Sequence, residues 1–495
     1  MVQNETVKIQ LASKDNLCEI LLSSFYFLDS IDLKRIELLL ESLKDNLTFY
    51  VEYPYVDSHF RDTYYFYYST KFHNYKRDCA RVHIFSEDVT YNIKDNDERY
   101  LGYFIIRPLS NHPLGKSFIS PKAFKNDDFV CCLCKQSVNL SGIPLSVNAF
   151  PHVVQDEETH KCAESVIWML LSYFGTKYGT YNSLLPSDIR KKIGNVLKHR
   201  LLPSSGLTLE EITICLNSSN HNCLFYISDI QQNKFAFLNF IVMRVYIESG
   251  MPFIVAYTDE KDENGHVVLA VGHENINFMD VFNNFTKLND RNWHDVSEYK
   301  KNLVFMDDNF SPYTIDNCEG QINRYTSEKI NYKIRGFIVP THRHMHMDAL
   351  AAYKLVATIF NEKITGLASF SNKRWITRLL LTSSKDFKNS VIHDSIICDH
   401  YRNYLSNLLL PRFIWICEIY EEQLYVPDKG NNQICSGLII IDVTEISSLN
   451  SVIEFFLNEI QYENNGSYLK PISAIKFEKE AYKHNLKGDW NKWQS

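Results

Sequence analysis

Residues 162–175 form a helix-length run with almost no side fit for water. Val166, Ile167, Leu170, Leu171 and Phe174 fall on one face at helical spacing, and Trp168 and Met169 add apolar surface to the other. A helix apolar nearly all round has to be buried, so the rest of the fold must cover it. The stretch ahead of it, Gln155-Asp156-Glu157-Glu158-Thr159-His160-Lys161, is polar and stops at Cys162. The pattern therefore predicts a thiol at a helix N-terminus. Unpaired N–H groups and the positive end of the helix dipole favour thiolate over thiol there.

A chain of 495 residues is too long for one ordinary core, and two or three domains are expected. With 45% hydrophobic and 22% charged residues it is globular rather than disordered. A net charge of −7 argues against a general nucleic-acid binder. The 12 cysteines are scattered without a disulfide framework, and residues 1–11 lack an apolar signal core. A reducing, cytoplasmic setting is expected. The apolar stretch from Phe235 to Tyr257 is broken by Arg244, Glu248 and Pro252, so no membrane span is expected.

The spacing divides the chain into three α+β regions, 1–120, 121–340 and 341–495. In the first, Ile31–Leu47 has helical spacing, and Arg81–Phe85 and Tyr100–Ile106 have strand character. In the second, strands fit Phe129–Cys134 and Gln136–Leu140. Helices fit the Cys162 segment, Leu185–Val196, Leu209–Leu216 and Phe235–Ser249. Pro252–Tyr257 and His266–Val271 form a hairpin across the polar turn 259–265, and Leu303–Met306 is a further strand. In the third, helices are expected at Asp348–Phe360, Lys373–Leu381 and Leu449–Ile460, with strands at Phe413–Ile419 and Gly437–Val443.

A cysteine at a helix start, a glutamine before it and a histidine on a later strand are the parts of a cysteine hydrolase. The thiolate attacks a carbonyl carbon, and the histidine pairs with the thiolate and protonates the leaving amine. An acid orients the histidine, and a carboxamide and a backbone N–H hold the oxyanion. The segment Gln155–Gly175, ending Trp168-Met169-Leu170-Leu171-Ser172-Tyr173-Phe174-Gly175, resembles the nucleophile segment of the papain-like superfamily. It looks closest to bacterial peptidases of the bacteriocin-processing, double-glycine-leader type. Gly265-His266-Val267-Val268-Leu269-Ala270-Val271-Gly272 is similar to the histidine strand of that family, and Leu303-Val304-Phe305-Met306-Asp307-Asp308 to its aspartate block. The resemblance spans roughly residues 150–315. It implies a central papain-like cysteine peptidase domain, a buried nucleophile helix on an antiparallel sheet, flanked by the two other regions.

It also implies the roles. Cys162 is the nucleophile, His266 the general base and acid, Asp307 the orienting acid and Gln155 the oxyanion donor. Asp308 and Asp280 remain rivals to Asp307. Glu164 suits the first helical turn, although a negative charge beside a thiol raises its pKa. No cofactor and no metal are expected. The expected partners are a protein or peptide substrate and a regulatory protein. Without a membrane or nucleic-acid role, the setting would be a regulated bacterial stress or antiphage-defence effector. Glutamine deamidation or transglutamination uses the same chemistry, and a non-catalytic binding module would keep the fold alone.

Other clusters read as structure. Cys131-Cys132-x-Cys134 lacks the second ligand pair that a zinc site needs. His273 shares the His266 strand but lies beyond Gly272. Tyr64–Tyr68 has no clustered Lys or Arg and suits an aromatic core or protein interface rather than nucleobase stacking. His342, His344 and His346 alternate as an exposed polar edge or domain contact would.

Overall fold

The computed structural model describes residues 8–25, 31–87, 93–156, 158, 162–179, 181–194, 207–227, 237–258, 265–275, 292–299, 302–316, 333–361, 373–422, 425 and 433–482. The protein is mixed α+β, and three large, mainly antiparallel sheets carry it.

The first sheet runs, in spatial order, Lys8–Ser13, Thr48–Tyr55, Cys79–Phe85, Tyr100–Ile106, Leu114–Ile119, Ile143–Val153 and Cys134–Leu140. Every residue of Cys79–Phe85 and Tyr100–Ile106 is buried, which marks strands covered on both faces. This sheet continues to Val153, so the boundary expected near residue 120 falls inside the chain that builds it.

The second sheet runs Thr314–Asp316, Leu303–Met306, Gly265–Glu274, Phe253–Thr258, Lys333–Thr341 and Asn222–Ile227. The expected hairpin pairs Phe253 with Ala270 and Thr258 with Gly265. Phe129–Cys131 pairs with the far end of the Gly265–Glu274 strand. A Cβ on Gly272 would overlap the Val130 carbonyl oxygen, so only glycine lets the two strands close up there.

The helix Cys162–Lys177 lies between these two sheets. It packs on Ile143–Val153 and Cys134–Leu140 on one side and on Gly265–Glu274 on the other. On the first side Trp168 meets His59 edge-on at 4.8 Å, and Tyr173 stacks on Phe150 at 4.9 Å. All residues from Ala163 to Phe174 are buried. An all-round apolar helix is the element that a two-sided packing requires.

The third sheet runs Trp293–Asp295, Trp375–Ser383, Phe413–Glu421, Gly437–Asp442, Val452–Leu457, Ile460–Asn464 and Leu469–Ser473. Its first strand comes from within the middle region and pairs in parallel with Trp375–Thr377. Two expected helices are strands here. Lys373–Leu381 became Trp375–Ser383, an interior strand whose residues are buried from Trp375 to Thr382. Its apolar residues fall in two short blocks around Thr377 and Arg378 that suit either state, and the neighbours on both sides decided it. Leu449–Ile460 became a short 3-10 turn, Leu449–Ser451, and the strand Val452–Leu457. Asn458, with φ of 49°, supplies the left-handed residue that turns the chain into Ile460–Asn464.

The helix Phe237–Glu248 packs on both the second and third sheets, and its buried Glu248 ties them. Glu248 takes His273 Nε2 at 2.6 Å and Arg378 Nε at 3.1 Å. Arg378 reaches on to Glu418, which also receives Lys479 Nζ at 3.2 Å and the Tyr482 N–H at 2.7 Å. His273 is therefore part of a buried ion network. Among the described residues no helix is long and apolar enough to cross a membrane.

Candidate active site

Cys162 is the first residue of its helix and is half-buried. His266 is the second residue of the strand Gly265–Glu274, and Asp307 follows directly on the neighbouring strand Leu303–Met306. These two strands are antiparallel, with Leu269 opposite Met306. Continuing that register past Met306 would set Asp307 opposite Val268, so that His266, two residues on, is its diagonal neighbour on the same face. His266 Nε2 lies 3.2 Å from Asp307 Oδ1. The Cys162 sulfur lies near enough to the same ring to favour its protonated form. With Nε2 committed to Asp307, Nδ1 is the nitrogen left for sulfur.

Burial works against a charged His266 ring. The Asp307 carboxylate beside it, and the Cys162 sulfur as an acceptor for the ring proton, outweigh that, and the histidine pKa is held well above its ordinary value. The carboxylate on His266 is itself fixed. Asp307 is fully buried, and its Oδ1 also accepts the Asn309 N–H at 3.0 Å. Its backbone carbonyl accepts from His152 Nε2 at 2.9 Å. Burial pushes His152 down to about 4, so that ring is neutral and serves as a brace.

Gln155 is held in the same corner. Its backbone N–H donates to the Asp308 carbonyl at 3.4 Å, and its side-chain amide donates to Asn309 Oδ1. The turn that supplies Asp307 thus also anchors the glutamine.

Asp308 does something different from Asp307. Its carboxyl is fully buried, and neither oxygen has a hydrogen-bond partner among the described residues. The buried Ser165 hydroxyl, one helical turn from Cys162, lies near it and favours its charged form without forming a hydrogen bond to it. Burial raises the Asp308 pKa to about 7, against the lowering pull of His266 and reinforced by Asp307. Asp280 lies outside the described residues.

The side chains of His266, Asp307 and Asp308 bring their ligand atoms within 4.8 Å of one another, the one such cluster found among the described residues. Three such atoms would suit a divalent cation only if the imidazole gave up its proton. The raised His266 pKa favours a proton on that ring instead.

Glu164 is buried and turned toward the helix Leu209–Asn217, where the Cys215 thiol feels its charge. Cys131, Cys132 and Cys134 are buried in the core. His342 follows the end of the strand Lys333–Thr341, and His344 and His346 lie in the turn beyond it rather than along a strand face.

Several residues of this corner escaped the sequence reading. The Tyr68 hydroxyl donates to Asp156 Oδ2 at 3.1 Å, and the Tyr67 hydroxyl to Glu158 Oε2 at 2.8 Å. Lys71 pairs with Glu158 as well. The tyrosine-rich segment, at the end of helix Ser58–Phe66, thus braces the approach to Cys162. Nothing in its composition points to a carboxylate some 90 positions away. Ser165 and Asn309 likewise gain their meaning only from the folded arrangement. No protein-family model matches the chain, and no curated protein matches it in sequence.

Proposed function

We propose that the protein is a papain-like cysteine hydrolase that cleaves an amide bond in a protein or peptide. The observation that carries this reading is the unbroken line Asp307–His266–Cys162, with the thiol at the head of a buried helix. Asp307 holds the imidazolium in place and stabilises its charge. Cys162, as thiolate, adds to the scissile carbonyl carbon. The oxyanion that forms takes the Cys162 backbone N–H and the Gln155 carboxamide once that amide turns from Asn309. His266 then gives its proton to the departing amine, the C–N bond breaks and an acyl-enzyme remains. Water, activated by the now neutral His266, hydrolyses the thioester and restores the thiol.

The test is alkylation by iodoacetamide, mapped by peptide mass from pH 5 to 8, in the wild type and in His266→Ala. An activated pair gives fast labelling of Cys162 that persists at low pH and disappears in the variant. Slow labelling in both proteins would leave a papain-like scaffold used for binding. A second assay incubates the wild type and Cys162→Ala with a peptide library. New amino termini mark a peptidase, and ammonia release from glutamine marks the deamidase or transglutaminase alternative.

A further inference from the structure

At the other end of the Cys162 helix, roughly 18 Å along its axis at Phe174, a cleft of about 70 Å³ opens between the second and third sheets. Its walls are largely aromatic. The Tyr181 and His221 rings stack at 4.3 Å and 8°, and Phe174 and Tyr178 stack at 6.0 Å. Phe413 closes the opposite side, with His342 against it at 5.0 Å. Burial pushes His221 down to about 4, so its ring is neutral, and its Nε2 is buried without a hydrogen-bond partner.

Two guanidinium groups lie by the cleft, Arg412 in its wall and Arg343 near enough to act on the Tyr181 hydroxyl that lines it. Arg412 donates to His342 Nε2 at 3.2 Å and lies over the Phe413 ring at 5.4 Å. Arg343 donates to Asn220 Oδ1 at 2.9 Å. Both charges are felt by the Tyr181 hydroxyl. Among the described residues neither arginine has a carboxylate in ion-pair range. Asp386, on the cleft wall, is occupied by the Ser383 hydroxyl at 2.7 Å. Arg412 is thus positioned by neutral groups, with its charge uncompensated beside a ring-lined hollow. A flat apolar surface with fixed cations at one edge is complementary to a ring that carries a negative group.

We propose that this cleft binds a small planar aromatic ring bearing an anionic group, the ring between Tyr178 and Phe413 and the acid group on Arg412 and Arg343. The seat joins two sheets, as ligand sites between structural units commonly do. It stands independently of the Cys162 corner.

Phenyl phosphate is a suitable probe, followed by saturation-transfer NMR on the full chain. The expected result is saturable binding with a Kd of about 1 mM or tighter. Inorganic phosphate and cyclohexyl phosphate should bind at least about tenfold more weakly, since the first has no ring and the second only a saturated, puckered one. Arg412→Met, at an exposed position, should keep the fold by circular dichroism and weaken phenyl phosphate by about tenfold. Arg343→Met should weaken it as well. Three results would overturn the proposal: no saturation, equal binding of inorganic phosphate, or undiminished affinity in Arg412→Met.

Discussion

The Ser165 hydroxyl and the Asp308 carboxyl lie near each other in the protein interior, one helical turn beyond Cys162. Each is buried and each lacks a hydrogen bond among the described residues. Asp307, next in the chain, has the histidine and a backbone N–H instead. Two adjacent carboxyls therefore divide the work, one as anion and the other as a group that resists ionisation.

Asp308 should make stability fall with rising pH. Its pKa is about 3.8 in the unfolded chain and about 7 in the fold. Between those values the folded state holds a proton that the unfolded state has lost, so stability drops across the window and then levels off. Asp308→Asn removes the drop. At pH 8 the variant should be more stable than the wild type by about 1–3 kcal/mol. Urea denaturation at pH 5 and pH 8 measures this, and a variant with the same pH slope as the wild type would refute it.

Asp307→Asn should act on the other side of the pH profile. His266 is held above its ordinary pKa by Asp307, so the imidazolium needed for leaving-group protonation survives to higher pH in the wild type. The variant should lose about 10²- to 10⁴-fold in kcat/KM. The alkaline limb of its pH profile should also move to lower pH. The raised His266 pKa adds stability that is complete below the unfolded value near 6.5 and is lost as pH rises through the folded value. That share should be missing in the variant at acid pH. An unmoved alkaline limb would assign the orienting role elsewhere.

Gly272→Ala should cost about 3 kcal/mol or more, because the new methyl group meets the Val130 carbonyl oxygen rather than a yielding side chain. The damage should be local. Hydrogen exchange at Phe129–Cys131 should accelerate first, since that short strand hangs on the Gly265–Glu274 strand at this point. Uniform acceleration across the second sheet would contradict this.

Glu418→Gln should destabilise the fold by about 3–5 kcal/mol, because Arg378 and Lys479 would lose the buried anion between them. Burial disfavours the Glu418 carboxylate, but Lys479 and Arg378 hold its pKa below the ordinary value. Its contribution is therefore present above the unfolded pKa near 4.5 and fades as pH falls through the folded one. Thermal unfolding of the two proteins should converge in acid and separate at neutral pH. A constant gap from pH 3 to 7 would point to packing as the cause.

The Cys162 helix was legible because its periodicity and its polar-to-apolar boundary are local facts. The hairpin of Phe253–Thr258 and Gly265–Glu274 was legible for the same reason, and it delivered His266. Lys373–Leu381 was not. Its apolar residues come in two blocks too short to fix a period, split by Thr377 and Arg378, and a strand between two neighbours and a buried helix look alike in it. The Tyr68–Asp156 and Ser165–Asp308 contacts depend on which surfaces meet after folding, so no spacing rule reaches them. Gln155 was found, but its grip on Asn309 was not, because it joins residues 154 positions apart.

Trp293–Asp295 enters the third sheet from the middle of the sequence, and Asp295 there accepts the Thr377 hydroxyl at 2.8 Å and the Leu379 N–H at 3.1 Å. Sequence order and spatial order thus part company along the chain. A shortened gene ending near residue 340 would strand a tryptophan-bearing edge, and one beginning there would leave Trp375–Ser383 open on one side. These regions are not interchangeable cassettes. Recombination or domain-swap engineering would have to carry residues 293–299 together with the C-terminal sheet.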